Sequence, residues 1–364
     1  MTGIKQQYAA YKNQIDHAIQ DVLHEGCFIL GAQVRELEQK LTDYVGVKHC
    51  IAVSNGTDSL KIALMALGIS IGDEVITVPF TWISTVEAIA LVGAKPVFVD
   101  IDPVSYLIDI EQIKAAITPK TKAIIPVSLF GQVPDFNALE NIAKKHGLYI
   151  IEDGAQSFGA TQKGRRSCSF STIGSTSFFP TKPLGCYGDG GALFTNDDLL
   201  ADKMRAIRNH GSFERDHHLY IGTTGRLDTI QAAILIVKMI YFEEETRIKN
   251  LIAKRYDEQL KEYCQIPKIM EDNTHVYAQY TIRSAKRDKL LESLLGKGVP
   301  ARIYYPTCIH EQPAFAYLNY QKGLFPEAEK ASQEVCSLPL HPWLTPEEQD
   351  LVIETVLNEL RCIG

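Results

Sequence analysis

The chain has 364 residues, 45% apolar and 22% charged, proportions of an ordinary globular protein that exclude disorder, fibrous repeats and disulfide miniproteins. Lys and Arg number 37 against 44 Asp and Glu, and the net charge of −7 lacks the general basic excess of a nucleic-acid binder. The eight cysteines show neither a C-x-x-C pair nor Cys/His metal spacing, which predicts reduced thiols, no metal site and a cytoplasmic protein.

The opening segment, MTGIKQQYAAYKNQIDHAIQ, is amphipathic and charged, without the apolar stretch of a signal peptide. The longest apolar runs, such as QAAILIVKMIYF, fall short of the ~20 residues a membrane span needs, so neither secretion nor insertion is expected. From about residue 50 to 200, the runs IAV, EVITV, PVFVD, AIIPV and LYIIED alternate with helical stretches starting at Thr57, Ser84, Ile110 and Asp135. This alternation predicts an α/β fold with a mostly parallel sheet covered by helices, its ligands gathered beyond the carboxyl ends of the strands. Beyond Arg226 a long helical stretch, TIQAAILIVKMIYFEEETRIKNLIAKRYDEQLKEY, carries the chain out of the sheet body. The expected division is a large domain over 1–240, with an amino-terminal helical arm, and a smaller α+β domain over 241–364. In the latter, HVYAQYTIRSAK and GVPARIYY read as strands around a helix, and Thr345 reads as the N-cap of a terminal helix opened by Pro346.

Three segments that follow apolar runs carry potential chemistry. In SNGTDSLKIAL a strand passes through Gly56 into a helix whose first amides can bind phosphate, although Ser, Asn and Asp there also serve as plain caps. No G-x-x-x-x-G-K-[ST] occurs, and GDGG at 188–191 is not a dinucleotide fingerprint, so a P-loop ATPase and a Rossmann dehydrogenase are unsupported. In IEDGAQSFGA, Asp153 ends a strand, where it either caps a turn or partners a cationic cofactor nitrogen. In TSFFPTKPLGCYGDGGALFTND, Lys182 is framed by Phe178, Phe179, Pro180 and Pro183, and burial there lowers an amine's pKa and frees it for a Schiff base. A phosphate-binding helix start, a strand-ending Asp and an apolar-turn Lys are together the set that pyridoxal phosphate chemistry needs.

Through NGTDSL, GDEVITVPFTW, GAKPVFVDID, IIPVSLFGQ, IEDGAQSFGA, RLDTIQAAI, SLPLHPWL and the lysine segment, the chain resembles the DegT/DnrJ/EryC/StrS sugar-nucleotide aminotransferases of fold-type I over nearly its whole length. Within that group it is most similar to the UDP-2-acetamido-2-deoxy-3-oxo-glucuronate aminotransferases of bacterial surface-polysaccharide and O-antigen assembly. The resemblance implies a pyridoxal 5′-phosphate enzyme with Lys182 as Schiff-base lysine and proton shuttle, Asp153 as partner of the pyridine nitrogen, and Gln156 at the ring 3′-oxygen. It implies that Trp82 stacks on the ring, that Gly56, Thr57 and Ser177 hold the phosphate, and that a homodimer shares its sites, with Thr224 standing where the family usually has Asn. For the sugar nucleotide it implies Arg215, His217, His218, Arg226 and His310. Tyr220 and Tyr304 stand where relatives carry a basic residue and a His. The implied reaction takes an amino group from L-glutamate to a UDP-linked 3-oxo sugar, leaving 2-oxoglutarate. UDP-3-oxo-N-acetylglucosamine and a dTDP-3-oxo-6-deoxyhexose remain alternative substrates. A dehydratase on this scaffold would carry His in place of Lys182, and a non-catalytic relative would lose Lys182 or Asp153.

Overall fold

The structure, a computed structural model, describes residues 2–214 and 216–361. Two helices lead the chain, α1 (Ile4–Glu25) and α2 (Ala32–Val45), each closed by a left-handed glycine, Gly26 at φ 68° and Gly46 at φ 79°. The expected alternation follows as β1 (His49–Val53), α3 (Gly56–Ala66), β2 (Glu74–Thr77), α4 (Ser84–Leu91), β3 (Lys95–Phe98), α5 (Ile110–Ala116), β4 (Thr121–Ile124), α6 (Phe136–His146) and β5 (Tyr149–Asp153). The helix starts agree with the sequence to within a residue, and polar caps fix three of them: the side chains of Asn55, Asp109 and Asp135 accept amides of the first turns of α3, α5 and α6. A small hairpin, β6 (Thr161–Gln162) with β7 (Arg165–Arg166), precedes β8 (Ile173–Ser177) and β9 (Gly191–Thr195). Then come α7 (Asp198–Arg208) and a second hairpin, β10 (Ser212–Glu214) with β11 (His217–His218).

The central sheet has the order β1-β9-β8-β5-β4-β2-β3. Within it β9 runs antiparallel to β1 and β8, while the pairs from β8 to β3 are parallel. Strands β1, β5 and β8 therefore deliver Val53, Asp153 and Ser177 to one edge of the sheet. Side chains alternate between faces along each strand. In β1, Ile51 and Val53 pack with Leu60 of α3 and Met204 of α7, while Cys50 and Ala52 pack with Leu37 and Leu41 of α2.

Helix α8 (Thr229–Leu260) is one uninterrupted 32-residue element. Its first half joins Leu235 and Phe242 to the layer under α2, and its second half carries Ala253, Tyr256 and Leu260 into another core, so it crosses the expected boundary at 240/241 without a break. That second core is built on β12 (Tyr280–Arg283), α9 (Arg287–Gly296), β13 (Val335–Leu338) and α11 (Pro346–Arg361), whereas α10 (Pro326–Glu334), between α9 and β13, packs Ala328 and Ala331 into the core of the sheet body. The partner of β12 is β13, paired antiparallel, and GVPARIYY contributes only a bridge from Arg302 to Ser337. Pro300, lacking an amide, cannot extend that pairing. Ile309, Phe315 and Phe325 return from this part of the chain to pack with Phe98 and Phe136 of the sheet body. At α11 the Thr345 hydroxyl accepts from Glu348 N at 3.2 Å, and Glu348 Oε2 accepts from Thr345 N at 2.9 Å, a reciprocal cap at the position read from the sequence.

Seven cysteines among the described residues are free, and Cys362 lies outside them. No helix among the described residues is long and apolar enough to cross a membrane.

Candidate active site

At the end of β1 the chain turns through Ser54 and Asn55, whose extended backbone and side-chain oxygen, accepting from Asp58 N at 2.7 Å, fix the first turn of α3. The amides of Gly56 and Thr57 precede the first intrahelical bonds and lie at the positive end of the helix dipole. Gly56 is pressed against the end of β8: a Cβ added there would stand 2.7 Å from Ser177 Cβ. The Thr57 hydroxyl donates to Ser84 Oγ at 2.8 Å, and Ser177 Oγ accepts from Phe179 N at 3.2 Å. The three residues expected around a phosphate thus meet at one corner, with Ser84 added.

Asp153 closes β5, 6% exposed, and is held by two donors, the Thr85 hydroxyl at 2.7 Å and Ala155 N at 3.2 Å. Its neighbour Glu152 points to the other face and is enclosed by the Ser128 and Ser167 hydroxyls and by Cys168 N. Burial pushes the Glu152 carboxyl up to about 7, against those three donors. Gln156 is fixed from both ends of its amide: Oε1 accepts from Phe130 N at 2.8 Å, and Nε2 donates to the Tyr305 hydroxyl at 3.0 Å.

Lys182 sits in a turn closed by its own amide donating to Phe179 O at 2.9 Å and by Cys186 N donating to Phe178 O at 2.8 Å. The turn is tight enough that a Cβ at Gly185 would lie 2.6 Å from Phe179 O. Burial lowers the pKa of the Lys182 ammonium, and the nearby Asp153 carboxylate opposes that shift. Among the described residues the amine makes neither a hydrogen bond nor an ion pair, with Asp153 or any other group, so a gap separates two groups that sense each other's charge. Trp82 stands 56% exposed beside Tyr305, ring centroids 5.8 Å apart, and offers a free indole face.

The segment bearing Thr224 and Arg226 runs along the end of β1: Ser54 N donates to Gly225 O at 3.0 Å, and Arg226 bridges to Val53. Thr224 is exposed with its hydroxyl 3.0 Å from His210 Nε2. The Arg226 guanidinium donates to Asn209 Oδ1 at 3.0 Å and keeps a buried Nε without a partner. His217 and His218 lie on an exposed hairpin that, among the described residues, makes neither a hydrogen bond nor an ion pair with Asp153 or Lys182, and Arg215 lies outside the described residues. The resemblance also assigns His310 to the substrate. Its side chain is fully enclosed, with Nε2 3.2 Å from Glu329 Oε1 and the ring against Phe325, because Glu329 also accepts from Gly323 N and ties down that turn.

Thr85 and Tyr305 were not legible as site residues. Thr81, in the turn before α4, and Thr85, in its first turn, are four positions apart and their hydroxyls lie 3.2 Å from each other. Tyr305 meets Gln156 across 149 positions, and no local pattern announces that contact.

The profile of the DegT/DnrJ/EryC1/StrS aminotransferase family matches residues 10–357. The UDP-2-acetamido-2-deoxy-3-oxo-D-glucuronate aminotransferase of Pseudomonas aeruginosa is 51% identical over 356 residues, 98% of each chain. The UDP-N-acetyl-3-dehydro-alpha-D-glucosamine 3-aminotransferase of Acidithiobacillus ferrooxidans is 42% identical, over 98% of this chain and 96% of that one. The crystal structure of NtdA from Bacillus subtilis with bound cofactor PMP superposes with a TM-score of 0.91 at 33% identity, covering 97% of this chain and 82% of that one. The chain belongs to the DegT/DnrJ/EryC1/StrS aminotransferase family.

Proposed function

We propose that this aminotransferase moves an amino group from L-glutamate to a UDP-linked 2-acetamido-3-oxo sugar, the 3-oxo-glucuronate foremost, by means of pyridoxal 5′-phosphate. The observation that carries the reading is the unpaired, desolvated Lys182 amine held across a gap from Asp153, at the edge where the amides of α3 emerge. The residues present fit the cofactor: donors for its phosphate at Gly56, Thr57, Ser177 and Ser84, a carboxylate for its nitrogen, and an indole face at Trp82 for its ring. When bound, pyridoxal phosphate supplies an electron sink for the carbon being deprotonated. Lys182 holds the cofactor through Nζ and, as a neutral amine, takes a proton from the donor's α-carbon and returns it. Asp153 keeps a proton on the ring nitrogen, its own orientation set by Thr85 and Ala155. Gln156 Nε2 has one hydrogen committed to Tyr305 and one left to donate to the ring oxygen.

Arg226, with donors to spare, is the group proposed to pair with a sugar carboxylate, and His217 and His218 to meet the nucleotide. Exposed Thr224 is proposed to reach the phosphate of a second subunit, which makes the working unit a homodimer. The free thiols suit a reducing cytoplasm, and the substrate class suits surface-polysaccharide synthesis. Retention of both Lys182 and Asp153 favours this reading over a dehydratase or a non-catalytic relative. The test supplies L-glutamate with the 3-oxo-glucuronate, the unoxidised 3-oxo-N-acetylglucosamine or the 6-deoxy-3-oxo nucleotide, and measures 2-oxoglutarate. The uronate should give the highest kcat/KM. Turnover with none of the three would overturn the proposal.

A further inference from the structure

Beside the Lys182 turn lies a cavity of about 50 Å³ lined by Lys182 and its neighbours 180–183, by Lys238, Glu245 and Lys249 of α8, and by His341 and Trp343; Asp153, Gln156 and Trp82 do not line it. Positions 238, 245 and 249 fall on one stripe of the helix, so one face of α8 presents three ionisable groups to it. We propose that this cavity binds a small monovalent anion of the chloride or acetate class, at a place distinct from the one proposed above for the cofactor ring and phosphate.

The charge balance is the first ground. Lys249 is 8% exposed, and among the described residues its ammonium makes neither a hydrogen bond nor an ion pair. Lys238, 3% exposed, donates to Gly185 O in the Lys182 turn. Glu245 stands against these two cations, its oxygens taken up by Gln7 Nε2 at 3.0 and 2.9 Å. Lys182 also lines the cavity, but its amine is the one proposed to join the cofactor; with it set aside, Lys238 and Lys249 against Glu245 still leave one positive charge, and an uncompensated buried charge is costly unless a counter-charge arrives. The other titratable neighbours do not supply one. His275 is held down at about 3 by burial and by Lys249, burial also lowers His341, and both imidazoles are neutral at pH 7. His341 Nδ1 is in addition buried without a partner. Burial takes Lys238 and Lys249 down to about 8, against the pull of Glu245, and a bound anion would favour their charged forms. Size is the second ground. The cavity exceeds several-fold the ~10–15 Å³ that a single water needs, yet it is far too small for a sugar nucleotide.

The chain has two tryptophans, so in a Trp82→Phe background Trp343 reports on the cavity wall. Its emission is followed while sodium chloride, or separately sodium acetate, replaces sodium gluconate at constant ionic strength. A saturable change with either anion is expected, and the anion that saturates first identifies the occupant as halide or carboxylate. Lys249→Met should weaken the apparent affinity at least tenfold, whereas Glu245→Gln, which removes the competing negative charge, should tighten it several-fold. Opposite signs in the two variants separate anion binding from a general loss of packing, and Glu245→Gln alone decides the sign if Lys249→Met does not fold. A linear response to both salts, or unchanged affinity in Glu245→Gln, would overturn the proposal.

Discussion

Replacing Gly56 with alanine places a methyl group where the start of α3 touches the end of β8. The new Cβ would stand 2.7 Å from Ser177 Cβ, 3.2 Å from its Oγ and 3.4 Å from its Cα. None of these atoms belongs to a long flexible side chain. Ser177 is 9% exposed and paired with Gly191, so relief requires the helix start and the strand end to part by several tenths of an ångström. Overpacking of this kind costs ~1–3 kcal/mol. If binding a phosphate demands the original spacing of the Gly56 and Thr57 amides and the Ser177 hydroxyl, that cost appears as a ~5–150-fold weaker affinity. The assay compares pyridoxal phosphate with pyridoxal, by equilibrium dialysis on wild type and Gly56→Ala. The loss should fall on the phosphorylated compound. Equal losses for both compounds, or none, would refute the idea that this corner holds the phosphate.

Thr345→Ala removes one half of the reciprocal cap of α11 and should cost ~1 kcal/mol of stability in urea unfolding, whereas no change would mean that Pro346 alone starts the helix. Lys249, at about 8 in the folded chain and 10.5 unfolded, is charged in both states below pH 8, while between those values only the unfolded chain keeps the proton, so folding stability gains as pH rises. The stability of Lys249→Met relative to wild type should therefore fall between pH 8 and 10.5, and a constant difference would contradict the buried lysine. If Arg226 reads a sugar carboxylate, Arg226→Ala should cost the uronate ~10–100-fold more in kcat/KM than the unoxidised ketosugar, matching the ~1.5–3 kcal/mol of a charge-assisted pair. Equal losses on both substrates would assign Arg226 to a structural role.

The sheet body was legible because its signals are local: β-branched runs make strands, and Asn55 and Asp135 cap the helices that follow; the strand order, with antiparallel β9 between β1 and β8, was not among them. Asp153 and Lys182 were legible for a related reason, each lying immediately after a strand or in a proline-framed turn. What was not legible depends on contacts across the chain. The partner of β12 proved to be Val335–Leu338, more than fifty residues away, with α9 and α10 between. His310 resembled a substrate residue by its motif, yet its environment is decided by Glu329, Phe325 and Phe98, which no local pattern places around it. The dependence of Gln156 on Tyr305 is of the same long-range kind. The interrupted balance of charge on α8 was hidden too, because a Lys–Glu–Lys stripe reads as a solvated face until the amino-terminal arm and the 340–343 segment are seen to cover it.

The central claim is that Lys182 carries the cofactor, and the most direct measurement is borohydride reduction of the protein loaded with pyridoxal phosphate, followed by peptide mass spectrometry. The account predicts loss of the visible absorbance band and a reduced pyridoxyl phosphate mass on the peptide containing Lys182. Label on Lys238, Lys249 or any other lysine with Lys182 unmodified would contradict it.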